Sequence, residues 1–441
     1  MEKTEKKELI GYVSRNVLSM LGLSLYILAD TYFIANGVGP YGLTALNLAL
    51  PVFNLINGLG LLMGMGGATL FSLNKSSAPE MGKKYFSQLG IISIILGLLF
   101  TCCGFFFVEP LARLLGGGVE TLPYLMTYLR VILIAAPFFL VNNFVLSFVR
   151  NDNNPHLTMV AMIASSLFNI VFDYILVFPL GLGMFGAALA TAASPILSLL
   201  ILTMHRRKPN RLLGLEWARP VWKTVKESVK LGIPSFLTEM SNGVSILVFN
   251  IVLLSLAGDI AVAAFGVLAN IFLIGLSMFT GTAQGIQPIV SREFGKKNFT
   301  AVAAALKFGS LVSVGIGVAL YVLMVLFKLP VIQFFNSTNN QELIRFASQG
   351  IPIYLFSFLF SGMNIVFSIF FASIAKPNYS FVLVLLRGYL LIIPAVFIMG
   401  NAFGVLGVWS SLPVVELAAF FVSLFLLVKT KKQLQQEKEF R

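Results

Sequence analysis

Long apolar stretches, each closed by glycine, proline, asparagine or charge, succeed one another along the chain. A bilayer core of roughly 30 Å takes about 20 apolar helical residues. Stretches of that order fall at 14–36, 43–73, 89–108, 123–149, 156–179, 183–204, 229–257, 260–288, 301–327, 343–374, 380–400 and 403–428. The pattern predicts an all-α polytopic membrane protein with twelve transmembrane helices. The second and tenth stretches exceed one perpendicular crossing and predict tilt, a kink or an interfacial extension. The first follows a charged leader, is longer than a signal-peptide core and carries Asp30, so a span is expected there and not a cleavable signal.

Composition removes the alternatives. Of 441 residues, 57% are hydrophobic, and Asp, Glu, Lys and Arg make up 11%, against roughly 25% in soluble proteins. Mean hydropathy is +0.89. A soluble globule would have too few charges to cover its skin, which excludes soluble enzymes, coiled coils and disorder. The net charge of +13 would suggest nucleic acid on a soluble chain. Here it is a matter of loops. The termini and the loops near 74–88, 150–155, 205–230, 291–300 and 375–379 hold 25 Lys and Arg, and the opposite side holds only Arg113, Lys328 and Arg345. By the positive-inside rule both termini are expected in the cytoplasm of a cell membrane, as an even number of spans requires. No nucleic-acid partner is expected; the lipid bilayer is. The basic stretch from Arg206 to Lys230, with Trp217 and Trp222, is expected at the lipid headgroups. Cys102 and Cys103 are adjacent within a span and form no disulfide framework or metal cluster.

The halves echo each other. Gly39 with Leu43-Thr44-Ala45 recurs as Gly258 with Val262-Ala263-Ala264, and Gly82-Lys83-Lys84 as Gly295-Lys296-Lys297. Asn153-Asn154-Pro155 recurs as Ala375-Lys376-Pro377, and Gly183-Met184-Phe185-Gly186 as Gly404-Val405-Leu406-Gly407. Six spans per half, starting on the same side, make a parallel repeat of the kind found in secondary transporters. The expected division is an N-terminal lobe over 1–204, a basic linker over 205–228, a C-terminal lobe over 229–428 and a basic tail over 429–441.

Charges inside spans carry the chemistry, because one at the bilayer centre costs about 2.5–3.5 kcal/mol even on the mildest scale. Asp30, Asp173, Glu239 and Glu416 lie there. Asn169 and Asp173 are four residues apart and share a helix face, and Thr191 on the next span can add a hydroxyl. These four residues, Asp30 included, are the expected ion-coupling site. Oxygen ligands suit a proton or a hard cation such as Na⁺; a proton is favoured, and no other cofactor or metal is expected. Arg387 and Glu416 lie on adjacent spans and are expected to pair structurally. Asn47, Asn143, Glu239, Gln284 and Gln287 are expected to line a water-filled substrate cavity. Gly181-Leu-Gly183-Met-Phe-Gly186 fits a dinucleotide fingerprint but follows no strand and is rejected. His, Cys and Ser–Lys constellations for an intramembrane enzyme are not found.

Several segments together resemble the multidrug and toxic compound extrusion transporters. They are 28–39 (LADTYFIANGVG), 46–54 (LNLALPVFN), 150–155 (RNDNNP), 169–191 (NIVFDYILVFPLGLGMFGAALAT) and 284–298 (QGIQPIVSREFGKKN). The resemblance implies two six-helix lobes around a V-shaped cavity and export of drug-like organic cations by antiport against H⁺ or Na⁺. It also implies a cation site in the N-terminal lobe, whose motif positions fall on Asp30, Asn169, Asp173 and Thr191. Some relatives use acids in spans seven and ten; the resemblance sets Glu239 against the one in span seven, but span ten has no carboxylate past Glu342. The competing function is a flippase for a lipid-linked precursor, which would need a cationic cavity. A monomer is expected. The orientation is checked by fusing a reporter that matures only in the cytoplasm to either terminus: both fusions are expected to be active.

Overall fold

The structure, a computed structural model, describes residues 3–216, 218–335 and 340–439. Among them every regular element is helical. Hydrocarbon offers no partner to backbone amides and carbonyls, and a helix satisfies them within its own segment. The first half comprises α1 (Lys3–Gly37), α2 (Pro40–Asn74), α3 (Met81–Phe106), α4 (Val108–Leu114), α5 (Leu122–Ile134), α6 (Ala136–Asn151), α7 (Pro155–Val177) and α8 (Gly183–Leu202). The second comprises α9 (Trp222–Gly295), α10 (Phe299–Leu326), α11 (Lys328–Phe335), α12 (Gln341–Tyr354), α13 (Phe358–Ser373), α14 (Pro377–Leu385) and α15 (Ile392–Glu439).

Ten stretches among the described residues are long and apolar enough to cross a bilayer, and the pair α5 and α6, bent by 50°, makes an eleventh. One of the ten, Pro377–Lys431, runs to 55 residues and is broken at Gly404 (φ 59°, ψ −145°). Taking its two sides separately gives the twelve segments expected. Gly258 (φ 69°, ψ −166°) breaks α9 in the same way, as Gly39 (φ 92°, ψ −167°) separates α1 from α2. No atom lies within 4 Å of where a Cβ would stand at Gly39, Gly258 or Gly404. Backbone handedness, and not crowding, therefore calls for glycine there. Each expected irregularity has a physical cause. The second span is one 35-residue helix, about 50 Å at 1.5 Å per residue. The tenth is interrupted by a 3₁₀ turn over Leu355–Ser357.

Three of the four sequence repeats have matching backbones: Gly39 with Gly258, Asn153 (φ 59°) with Ala375 (φ 57°), and Gly183 (φ 51°) with Gly404. The fourth does not. Gly82 lies in the first turn of α3, whereas Gly295 ends α9. The two Gly-Lys-Lys runs sit on opposite sides of their loops. The short helices α4 and α11, which follow the third span of each half, are a further repeat that the apolar pattern did not separate.

Buried apolar residues form three clusters. Two draw almost entirely on the first half, around Leu129, Leu133 and Leu140 and around Phe71, Phe144 and Phe148. The largest draws on the second half, around Phe265, Phe358 and Trp409, and takes in Leu9, Tyr12 and Val13 from the start of α1. The 205–228 stretch is pinned to the first half. Buried Asp152 accepts from the amides of Leu212 (3.0 Å) and Leu213 (3.1 Å) and pairs with His205 Nε2 at 2.8 Å. Helix α9 starts inside that stretch, at Trp222, which is 77% exposed. Trp217 and the last two tail residues lie outside the described residues.

At the end that holds the basic loops, the halves meet along a seam of bare backbone. A Cβ on Gly66 would stand 2.0 Å from the Ser228 carbonyl oxygen, and one on Gly232 would stand 1.9 Å from that of Leu62. Helix α2 thus lies directly against α9. Gly232→Ala forces these backbones apart at a cost of about 1–3 kcal/mol, the usual range for overpacking. The expected readout is a melting temperature several degrees lower in detergent.

Candidate functional site

Asp30 on α1 is 6% exposed, and Asp173 and Asn169 on α7 are fully buried. The two carboxyl groups lie within hydrogen-bonding reach of each other. Two carboxylates cannot hydrogen-bond each other, so the contact requires a proton on one of them. With its nitrogen turned to the carboxyl, Asn169 donates to Asp173 Oδ2 at 3.1 Å and accepts from the Thr191 amide at 3.3 Å. The opposite orientation offers only Nδ2 to Thr191 Oγ1 at 3.4 Å. The network favours the first. Asn169 then presents an N–H, not a carbonyl oxygen, to the acid. Among the described residues, Oδ1 of each aspartate has no further donor.

Sequence analysis missed two tyrosines at this site. Tyr26 lies one turn before Asp30 within electrostatic reach of both acids. Tyr128, from α5, stands close to Thr191 and within electrostatic reach of both acids. Tyr26 shares a face with Asp30 by four-residue spacing, which was legible. Tyr128 comes from another helix, and no local pattern flags it.

A central cavity of about 260 Å³ lies between the halves. On α2, Phe53, Asn57, Leu61, Met65 and Thr69 line it at four-residue spacing, one stripe of one helix. Of the expected lining residues, Asn143, Glu239, Gln284 and Gln287 are there. Asn47 is not. It falls off the stripe and stands exposed near the start of α2. Tyr26 and Thr191 line the cavity, but Asp30, Asp173 and Asn169 do not. The acid pair is therefore set behind the wall, with Thr191 touching both compartments.

Arg387 and Glu416 pair as expected. Arg387 Nη2 donates to Glu416 Oε1 at 2.6 Å, and Nε reaches both carboxylate oxygens at 3.0 and 3.1 Å. Asn364 Nδ2 also donates to Glu416 Oε2 at 2.6 Å, and Ser423 donates to Asn364 at 3.2 Å. Arg387 sits in a π turn over Leu386–Leu390, and it lines the cavity as well.

The cavity floor is polar and joins the halves. Arg150, 3% exposed, donates to Gln284 Oε1 at 2.5 Å. Asn151 donates to Gln287 at 3.0 Å, and Gln287 to Thr69 at 3.1 Å. Arg150 counted in the sequence only as a loop charge, yet its Nε has no partner among the described residues. Below the floor, Arg292 bridges to Glu8 at 2.8 Å. Lys75, just past α2, donates to the Asn151 carbonyl at 2.8 Å. Burial pushes its ammonium down to about 8, although Asp152 nearby acts the other way.

Comparison with known proteins finds matches over most of the chain. The MatE family profile matches residues 16–175 and 234–398. The chain is similar to the multidrug export protein MepA of Staphylococcus saprophyticus, 27% identical over 97% of this chain and 95% of that one. It is 29% identical to MepA of Staphylococcus aureus strain MSSA476, over 91% of this chain and 88% of the relative. A solved outward-facing multidrug resistance MATE family transporter of the MOP superfamily superposes with a TM-score of 0.91 at 24% identity, over 98% and 96% of the two chains. A MOP superfamily transporter from Pyrococcus furiosus superposes at 0.89 and 23% identity, over 98% and 97%.

Asn169→Leu removes both partners that the amide supplies and leaves buried polar atoms bare, at about 1–3 kcal/mol. A lower melting temperature than wild type in detergent is the expected result, with Asn169→Gln falling between the two.

Proposed function

The chain belongs to the MatE family, and from that membership we propose that it is a multidrug efflux transporter which exports organic, mostly cationic, compounds in exchange for protons by alternating access. The observation that carries this is the place of the acid pair. It is buried, its contact calls for a proton, and Thr191 and Tyr26 both link it to the cavity. Protonation lets Asp30 and Asp173 meet. Loss of that proton leaves two like charges in contact, which drives α1 from α7. Because α1 supplies Met20, Leu23, Tyr26 and Ile27 to the cavity wall, its displacement reshapes the substrate site. The donor set favours a proton over Na⁺, since Asn169 turns an N–H toward the acid.

Two lobes, 1–204 and 229–428, rock about the central axis, joined by the 205–228 linker. The basic-loop end is cytoplasmic, so the seam at that end makes this the outward-facing state. The transporter acts as a monomer in the plasma membrane, with both termini inside.

Energetics limit the stoichiometry. One proton exchanged for one monovalent cation moves no net charge, and only the pH term drives export, about 1.4 kcal/mol per unit. Two protons would add the voltage term, about 2.3 kcal/mol per 100 mV.

In proteoliposomes, a pH gradient imposed without sodium is expected to drive uptake of a fluorescent cation, and a sodium gradient alone is not. Asp30→Asn and Asp173→Asn are each expected to lower ethidium efflux from cells at least tenfold at normal expression. Unchanged efflux in both variants would remove the coupling assignment.

A further inference from the structure

Two buried or half-buried arginines of the second half each have an acid. Arg292 bridges to Glu8 at 2.8 Å and to Glu293 at 2.9 Å, and Arg387 to Glu416 at 2.6 Å. Arg150 has none: no ion pair among the described residues includes it. Asp152, two residues on, is taken by His205 and by the amides of Leu212 and Leu213. We infer that Arg150 is a cation barrier, whose uncompensated charge at the cavity floor stops protons and other cations from passing between the halves. The inference rests on the efflux reading above, since a barrier matters only where a gradient is stored across the chain.

Three observations carry it. The first is position. Arg150 stands in the last turn of α6, at the basic-loop end, and is 3% exposed. It donates to Gln284, which lines the cavity, while Arg150 itself does not. A fixed positive charge therefore lies just beneath the cavity lining, where the halves meet.

The second is that the contact does not need a charge. The adjacent Asn151 makes the same kind of bond across the halves, to Gln287 at 3.0 Å, with a neutral amide. A buried guanidinium without a counter-charge is costly, and it keeps its proton inside proteins, so the cost is not shed by neutralisation. Its Nε lacks even a neutral partner among the described residues. Holding α6 to α9 explains the bond and leaves the charge unexplained.

The third is the chemistry of the floor around it. Gln284, Gln287, Thr69 and Asn151 are amides and a hydroxyl, linked in part by hydrogen bonds. Such groups hold water and offer a proton successive partners. Above them Glu239 lines the cavity without an ion pair among the described residues, and an acid so placed draws cations inward. A polar floor under a cation-attracting cavity leaks unless a like charge guards it. A guanidinium beside a narrow polar path excludes protons and cations in this way, and its field carries further in a medium of low dielectric constant.

The test measures passive proton flux in proteoliposomes that hold no drug. A pH step is imposed, the voltage is clamped with potassium and valinomycin, and an entrapped pH-sensitive dye reports entry. Arg150→Gln removes the charge and keeps a donor for Gln284. Gln284→Glu keeps Arg150 and its bond but supplies the missing counter-charge. Both are expected to pass protons at least tenfold faster than wild type, and Arg150→Lys, which retains the charge, within twofold of it. Release of erythritol, a small neutral solute, is expected to be the same in all four proteins, because the path is no wider. Wild-type proton flux in either neutralised variant would overturn the assignment, as would a Lys variant as leaky as the Gln one, or erythritol release that rises with proton flux. Should Arg150→Gln not fold, Gln284→Glu decides alone: a purely structural bond would be strengthened by that change and would not leak. The flux is read without drug, so failure of the efflux reading would leave this result standing.

Discussion

Hydrocarbon gives a polar group nothing to bond to, and most of this molecule follows from that. Every crossing is a helix, because only a helix satisfies its own backbone. Many hydroxyls inside the spans bond back to the preceding turn, as Ser93 does to Leu89 and Ser147 to Asn143. Of the four acids inside the spans, Glu239 faces the cavity and the other three have an ionisable neighbour. Glu416 is fully answered by Arg387 and Asn364. Asp30, Asp173 and Arg150 are answered only in part, with buried atoms that have no partner among the described residues. These three charges stand at the acid pair and at the floor between the halves. A group whose demands are met in one arrangement has no reason to move; a group half-met can be better served in another.

The duplicated scaffold carries its chemistry once. Gly39 and Gly258 fix the correspondence between the first turns of the two halves, and it puts Phe249 where the first half has Asp30. Phe249 is buried and stacks on Phe265 with ring centroids 4.8 Å apart. Gly183 and Gly404 likewise set Leu412 opposite Thr191. The second half is therefore apolar where the first holds the acid pair, and its own ionic group, Arg387 with Glu416, stands elsewhere. Backbone symmetry with chemical asymmetry places the buried acid pair in one half, beside a cavity that both halves share.

Span positions were legible because bilayer thickness fixes helix length. The grouping of Asn169 with Asp173 was legible because four-residue spacing fixes a helix face. What the sequence concealed were rotation and partnership. Asn47 lies in the right helix but off the stripe defined by Asn57, Leu61 and Met65, and only the packing of α2 against its neighbours sets that rotation. Arg150 counted as a loop charge because its position relative to the membrane, not its neighbour, was all that hydropathy could weigh. Its contact with Gln284 spans 134 residues of chain. The Gly-Lys-Lys echo failed for the opposite reason: composition matched where topology did not.

The seam of Gly66 and Gly232 has a mechanical consequence. Where Gly66 and Gly232 lie, main chain meets main chain, and no side chain has to leave a socket at those two points. The resistance to parting the halves sits instead in the side chains beside them: the polar contacts of Gln284 and Gln287 must break, and Ile233 and Phe236 must leave the first-half core. The two glycines thus act as a close pivot flanked by the contacts that a change of state has to exchange.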